Sequence, residues 1–402
     1  MSVPMPQIPP SSPPPAGPRP GARVAMLLSN AFRPDPRVAR EAQALAATGH
    51  QVTIVCWDRE GSLPASETVD GYRVERVQDV RSVYGAGPRQ LLYIPRFWRE
   101  AVRRVRTLRP DVLHCHDLDT LPAGWWLKGR CPVRLVYDAH EDYPALMSLY
   151  LPRPMVAALA WLERRLLQRV DSVITASTVL ADKLRSWGVD PVVTIGNVQP
   201  LEAFAAVGEA QTAAARAALG LAPEDLVVAY IGGFSRNRQL LPLIEAARQM
   251  PGVQVLLWGD GHQRAAVEAA AAQVPNVRYL GWLPAEQVPL HMCLADVVYY
   301  CLVPDYPGAV YNAPNTLSNA MAAGRPIVAN DVGDLGRIVR QTGCGVLVPE
   351  VTREAIRGAI ELLRDLETRR RMGRAGRAAA EAEYNWSAAQ GQLDKVYAEL
   401  WP

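Results

Sequence analysis

The chain has 402 residues, enough for about two to three domains of roughly 100–200 residues each. Apolar residues make up 49% and charged residues 21%, which excludes fibrous, disulfide-dense and wholly disordered classes. The net charge of +3 is uneven: residues 1–198 hold 25 basic against 19 acidic side chains, and residues 199–402 hold 18 against 21. That is too mild for nucleic acid, but it gives the first half a basic face that an anionic surface would attract.

Residues 1–21 read as a disordered Pro-rich tail: the first 20 hold nine prolines and no apolar core of a secretory signal. Short β-rich runs and helical runs then alternate. Strands are expected at Val24–Ser29, Gln51–Trp57, Tyr72–Val77, Val112–Cys115, Val133–Tyr137, Ser172–Thr175 and Val192–Ile195. Helices are expected at Asp35–Thr48, Gln90–Leu108, Leu121–Lys128, Met155–Arg169 and Val179–Trp187. Residues 199–223 read as a linker with a small Ala-rich helix. The alternation restarts with strands at Leu226–Ile231, Val253–Leu257, Val277–Leu280, Asp296–Tyr300, Pro326–Ala329 and Gly345–Val348, and three helices close the chain. The strand runs are mostly apolar on both faces, as parallel strands covered by helices require. Two βα arrays imply an α/β protein of two doubly wound domains, 22–198 and 224–385. The last segment, 386–402, is read as a helix packing back toward the first domain. The six cysteines form no CxxC pair, and no run reaches the ~18 apolar residues that span a bilayer. A cytoplasmic protein is expected.

Ligands of such sheets bind at the carboxyl ends of the strands. After the first strand, Asn30 and the Asp35-Pro36 pair form a loop and helix start; Asn30 is a candidate to face a ligand. His114-Cys115-His116-Asp117 and Asp138-Ala139-His140-Glu141 both follow strands, so both can reach one cleft. Two readings compete there: a metal site, since His-x-His puts both rings on one strand face, or a sugar- or acceptor-binding rim built on His116, Asp117, His140 and Glu141. Asp117-Leu118-Asp119 stands where a helix starts, which points to capping. In the second half, Gly232-Gly233-Phe234-Ser235-Arg236-Asn237-Arg238 runs from a strand to a helix. Glycines allow close backbone approach, and the arginines supply directed donors for an anion. Gly281-Trp282-Leu283 follows another strand and could wall a nucleobase. Pro314 suits a first helical turn, leaving the amides of Asn315 and Thr316 free.

In this order and spacing, these elements resemble the GT-B retaining glycosyltransferases of glycosyltransferase family four. The resemblance rests on Asp35-Pro36-Arg37-Val38-Ala39-Arg40-Glu41-Ala42 with Gly49-His50, Tyr137 to Glu141, Gly232 to Arg238, Gly259-Asp260-Gly261, and Ala320 to Ala329, from about residue 22 to 390. It implies two Rossmann-like domains around a cleft, the first holding a hydroxyl acceptor and the second a nucleotide-sugar, with a UDP-sugar the expected donor. It also implies Arg238 on the donor diphosphate and His140 beside the donor sugar as catalytic residues. Gly232, Gly233, Arg236, Leu283, Asn315, Thr316, Leu317 and Asn319 would hold the donor; Asn30, His116, Asp117 and Glu141 would lie on the acceptor side. No metal and no further cofactor are implied, because cationic side chains and a helix dipole replace them. The chain departs from the pattern at the family's paired glutamates, here Tyr311 and Asn319, and at a frequent lysine, here Thr316. A weak or inactive scaffold, a nucleotide-sugar epimerase or hydrolase, and a metallohydrolase are the competing readings. The helical segment 96–109 carries six arginines against Glu100, so peripheral contact with the anionic inner face of a membrane is expected as well.

Overall fold

In a computed structural model of the protein, residues 21–33, 35–82 and 90–401 are described. The Pro-rich stretch 1–20 lies outside them. Eight strands form the first sheet: β1 (Arg23–Leu27), β2 (Gln51–Trp57), β3 (Ser66–Val69), β4 (Tyr72–Val77), β5 (Val112–His116), β6 (Arg134–Ala139), β7 (Ser172–Thr175) and β8 (Val192–Thr194). Six form the second: β9 (Leu226–Ile231), β10 (Val253–Trp258), β11 (Val277–Tyr279), β12 (Val297–Tyr300), β13 (Ile327–Asn330) and β14 (Gly345–Val348). The spatial orders are β3-β4-β2-β1-β5-β6-β7-β8 and β11-β10-β9-β12-β13-β14. Every pairing is parallel except β3 with β4. Strands such as β9 are buried at every position, so both faces need helices, and the βα crossovers supply them. Apolar clusters accordingly fill both faces of the first sheet and surround the second.

Strand ends differ by one or two residues from the sequence expectation, with two additions. The edge strand β3 pairs through an Asp70-Gly71 turn in which both residues have positive φ (45° and 87°), the backbone that Asp-Gly favours in a two-residue hairpin. A short helix, Tyr143–Met147, is capped by the Asp142 carboxylate, which accepts from the Ala145 amide at 3.0 Å.

The 199–223 segment is no free linker. It forms helices Glu202–Ala205 and Glu209–Ala218. Phe204 is buried in the second core, and Arg216 donates to Asp296 at 3.0 Å, so the segment packs as part of the second unit. The closing helix Trp386–Glu399 crosses to the first unit, where Leu393, Val396 and Tyr397 join Met26 and Ile54 in one cluster. Further bonds tie the two units. Asn197 Nδ2 donates to the Ala313 carbonyl at 2.9 Å, and the Thr178 amide donates to Asp334 at 2.6 Å. Helix Gln90–Leu108 covers the first sheet with Phe97, Ala101 and Val105, Phe97 stacking on Trp57 at 4.8 Å. No helix among the described residues is long and apolar enough to cross a membrane.

Candidate active site

The register of β5 with β6 sets His116 opposite Asp138 at the strand ends. Asp138 is fully buried, and two groups balance its charge. Arg37, on helix Pro36–Ala47, donates to both carboxylate oxygens at 3.1–3.2 Å. His140 Nε2 lies 3.1 Å from Asp138 Oδ2. Burial alone would raise the Asp138 pKa, but the Arg37 and His140 charges hold it well below the ordinary carboxylate value. Arg37 is fixed in turn by the Ile195 carbonyl at 2.8 Å, Asn197 at 3.1 Å and Glu41 at 3.2 Å.

His140 gains most from this arrangement. Burial disfavours its charged ring, yet the carboxylates of Asp138 and Asp117 outweigh burial and raise its pKa to about 10. Behind it, His116 Nδ1 lies 3.1 Å from His140 Nε2. His116 stacks on His114 at 4.4 Å, and His114 Nδ1 meets the Tyr397 hydroxyl at 3.0 Å. Burial keeps both inner rings neutral: His114 falls to about 4 and His116 well below its ordinary value. One charged histidine near the cleft is therefore backed by two neutral ones. Asp117 Oδ2 stands 3.9 Å from His140 Nδ1, on a backbone with φ of +62°. A non-glycine residue in that region carries strain of the kind found at functional sites.

Atoms of Glu41, His114, His116 and Asp138 lie within 4.8 Å of one another. These four are the described set that could hold a cation, but Arg37 already sits among the carboxylates and supplies the positive charge. Burial, reinforced by the Asp138 charge, pushes Glu41 up to about 8 against the opposing pull of Arg37.

The second wall is made largely of backbone. The Gly232–Phe234 turn packs against Gly259-Asp260-Gly261: the Gly232 amide donates to the Trp258 carbonyl at 3.0 Å and the Phe234 amide to the Asp260 carbonyl at 2.8 Å. A Cβ on Gly259 would collide with the Gly232 carbonyl, and one on Gly261 would lie 2.9 Å from the Phe234 backbone. This close approach fixes both glycines. Arg238 projects from the turn with its guanidinium 4.8 Å from the centre of the Tyr300 ring and donates to Asn237 at 2.8 Å. The Tyr230 hydroxyl donates to the Gly233 carbonyl at 2.7 Å. Thr316 opens helix Asn315–Ala322 and gives its hydroxyl to the Ile231 carbonyl at 3.2 Å. The helix start therefore abuts the glycine turn, and its first amides have no partner within the helix.

Between the walls lies a cavity of about 220 Å3. Glu141, Leu149 and Tyr150 line it from the first unit; Arg236, Arg238, Tyr306 and Tyr311 line it from the second. Of the residues singled out in the sequence, Glu141, Arg236 and Arg238 meet there. His140 adjoins Glu141 with its side chain 20% exposed. Gly232, Gly233, Asn315 and Thr316 gather at the neighbouring strand end, and Asn319 follows one turn along the same helix.

Five expectations are corrected. Leu317 is 2% exposed within the core, and its amide is taken by the Pro314 carbonyl at 3.2 Å. Leu283 is buried in the same core and lines no part of this cavity. Asn30 spends both side-chain atoms locally, accepting from the Phe32 amide at 2.7 Å and donating to Asp35 at 3.0 Å. His116 lies behind His140, out of the cavity. Neither acid of Asp117-Leu118-Asp119 caps the next helix: its N-cap is Thr120, and Asp119 accepts the Ser29 hydroxyl at 2.5 Å. Sequence reasoning passed over Arg37, Asp138 and Tyr300. Arg37 and Asp138 stand inside the family motifs, which was the available signal.

Two Rossmann-like units with ligand-binding strand ends turned to a shared cavity define a GT-B architecture. Residues 37–202 match the family model Glycosyltransferase Family 4, and residues 225–365 match Glycosyl transferases group 1. The D-inositol 3-phosphate glycosyltransferase of Nocardia farcinica is 30% identical over 313 residues, covering 72% of this chain and 67% of that protein. Among solved structures, sucrose-phosphate synthase from Thermosynechococcus elongatus superposes with a TM-score of 0.80 at 23% identity, over 94% of this chain and 99% of that one. Anabaena HepE in complex with UDP-glucose gives 0.71 at 16% identity, over 94% and 99%. The chain belongs to glycosyltransferase family 4, within the group 1 glycosyl transferases, and is an enzyme that transfers sugars.

Proposed function

We propose that the enzyme is a retaining glycosyltransferase. It moves a sugar from a nucleoside diphosphate, a UDP-sugar, to an acceptor hydroxyl in cell-surface polysaccharide or glycolipid synthesis, on the cytoplasmic side of a membrane. The observation that carries this reading is the cavity itself: Arg236 and Arg238 on one wall face Glu141, next to the charged His140, on the other. Breaking the bond between the anomeric carbon and the diphosphate leaves negative charge on the phosphate oxygens. Arg238 and the amides of Gly233, Asn315 and Thr316 stabilise that charge, a role suited to a helix start and a preorganised guanidinium. The new carbon–oxygen bond forms on the same face, and the acceptor proton passes to the departing phosphate oxygen. No strong protein base is needed.

Charged His140 has two N–H donors. Asp138 and His116 occupy Nε2, so Nδ1 is the donor left for a sugar oxygen. Arg238 supplies the positive charge, so the step needs no metal and no further cofactor. The HepE complex with UDP-glucose supports the choice of uridine donor on this fold. The test is a thermal-shift panel of UDP-, GDP- and TDP-sugars, followed by NMR of the product anomer. UDP and one UDP-sugar should raise the melting temperature, and the anomeric configuration should be kept. A panel with no response, or an inverted product, overturns the reading.

A further inference from the structure

The second half of the chain is acidic on balance, yet one place in it gathers arginines. Helix Leu366–Ala382 carries Arg369, Arg370, Arg374 and Arg377 within an arc of about 140° of its surface. Gly373 stands inside that arc. A Cβ there would lie 2.2 Å from the Gly324 carbonyl oxygen, so glycine lets the helix press against the loop that follows helix Asn315–Ala322. Arg325 of that loop is thereby brought to the four arginines of the helix. The five line a cavity of about 500 Å3 in which Asp296 is the one carboxylate. Asp296 leads into β12, and Arg325 leads into β13, so this cavity lies at the amino ends of the strands. The glycine turn and Arg238 follow a carboxyl end, and the two cavities share no residue. Helix Asn315–Ala322, about 12 Å long, separates them: its start abuts the glycine turn, and the Ala322 carbonyl at its end accepts from Arg377 at 2.6 Å.

The protein neutralises only part of this charge. Asp296 is shared: Oδ2 accepts from Arg216 at 3.0 Å and from the Val227 amide at 2.9 Å, and Oδ1 lies 3.9 Å from Arg369 Nε. Arg377 pairs with Glu381 at 2.7 Å. Two other acids come close without entering the lining. Glu367 is on the same helix, and Glu209 lines an adjoining cavity that shares Arg325 and Arg377. Arg325 donates to the Cys293 carbonyl, while its Nε is buried without a partner. Among the described residues, Arg370 and Arg374 take part in no hydrogen bond or ion pair. Like charges gathered in this way repel one another, and guanidinium forks match the oxygens of a phosphate group. Leu366, 46% exposed, lines the same cavity and gives it an apolar side. The charges converge on one cavity from a helix and a loop, which suits a small molecule better than an extended acidic segment.

We infer that this arginine-lined cavity is a second anion site, which binds a small phosphate ester with its phosphoryl group on Arg325, Arg370 and Arg374 and its uncharged body against Leu366. It is separate from the diphosphate position at Arg238 and stands independently of the glycosyl-transfer reading.

The test is isothermal titration of glucose 1-phosphate, inorganic phosphate and a polyglutamate peptide into the full chain. Salt is held at about 0.15 M, where attraction beyond a Debye length of about 8 Å is screened. The proteins are the wild type, Arg238→Ala, and two double variants. Arg370→Gln, Arg374→Gln removes two exposed arginines that hold nothing else, so its melting temperature should match the wild type. Arg353→Gln, Arg357→Gln removes the same charge from helix Arg353–Leu362 of the same unit. Glucose 1-phosphate should bind more tightly than inorganic phosphate, and that binding should persist in Arg238→Ala. It should weaken at least about tenfold in Arg370→Gln, Arg374→Gln and stay unchanged in Arg353→Gln, Arg357→Gln. No binding left in Arg238→Ala, or equal losses in the two double variants, overturns the site. Equal affinity for the two phosphates overturns the ester and assigns free phosphate to the arginines. Polyglutamate binding more tightly than either phosphate, and lost with Arg370 and Arg374, overturns the small-molecule reading.

Discussion

The two walls of the cleft solve the same problem with different material. The first wall is made of ionisable side chains taken out of water: Asp138, Arg37, Glu41 and the three histidines hold one another in place. The second is made of backbone: two glycine turns pressed together and a helix start, with Arg236 and Arg238 as charges that reach the cavity. A side-chain network fixes a protonation state, because each buried charge depends on its neighbours. A backbone cradle fixes a shape and presents amides whatever the pH. The first wall should therefore fail through charge and the second through volume.

The largest effect is expected at Asp138. Asp138→Asn leaves Arg37 buried without its main partner, and breaking such a pair costs about 3–5 kcal/mol. Denaturant melts would measure the loss. The same substitution removes the strongest influence that keeps His140 charged, so the alkaline limb of the activity profile should move to lower pH. The sign for stability follows from the raised His140 pKa. Its charge contributes in full below the unfolded value of about 6.5, and the contribution fades as pH rises toward about 10. In a His140→Gln variant, melts across that window should lose this part of the pH dependence. A profile identical to wild type would show that the network does not set the charge.

On the other wall, Gly259→Ala adds only a methyl group, but it drives the Gly232 turn outward. Overpacking of this kind costs about 1–3 kcal/mol. Calorimetric titration should show weaker UDP binding, with the pH profile of any remaining activity unmoved. A shift in that profile would erase the distinction between the walls.

The contrast also explains what could be read from the sequence. The strands of both sheets were legible because fully buried parallel strands are apolar throughout, as β9 and β10 are. β3 was not: Ser66–Val69 is short, half exposed and lies at an edge, although Asp70-Gly71 was a usable turn signal. Arg238 stood out because a glycine turn leads directly to it. The first wall was legible only in part. His140 follows a strand, but its charge depends on Asp138, which Arg37 holds ionised from 101 residues away, and on Asp117 beside β5. Contacts that long in sequence leave no local pattern. Leu317 and Leu283 misled for the opposite reason: their neighbours form the site by backbone, while their side chains belong to the core.

The smallest effect is expected at Asn319, where the family pattern has a carboxylate. Asn319→Glu should tighten UDP binding by a few-fold if the ribose lies there, since a charged acceptor bonds hydroxyls more strongly than an amide oxygen. Weaker binding would mean that this wall has been rebuilt around the amide.

Everything rests on a division of labour, with the diphosphate on Arg238 and the sugar beside His140. Titration of UDP into wild type, Arg238→Ala and His140→Ala tests it in one series. UDP carries the diphosphate and no sugar. Arg238→Ala should raise its dissociation constant at least about tenfold, in line with the roughly 1.5–3 kcal/mol of a charge-assisted bond, while His140→Ala should leave it nearly unchanged and still abolish most sugar transfer. Equal UDP affinity in wild type and a folded Arg238→Ala, or a larger loss in His140→Ala, would contradict the account.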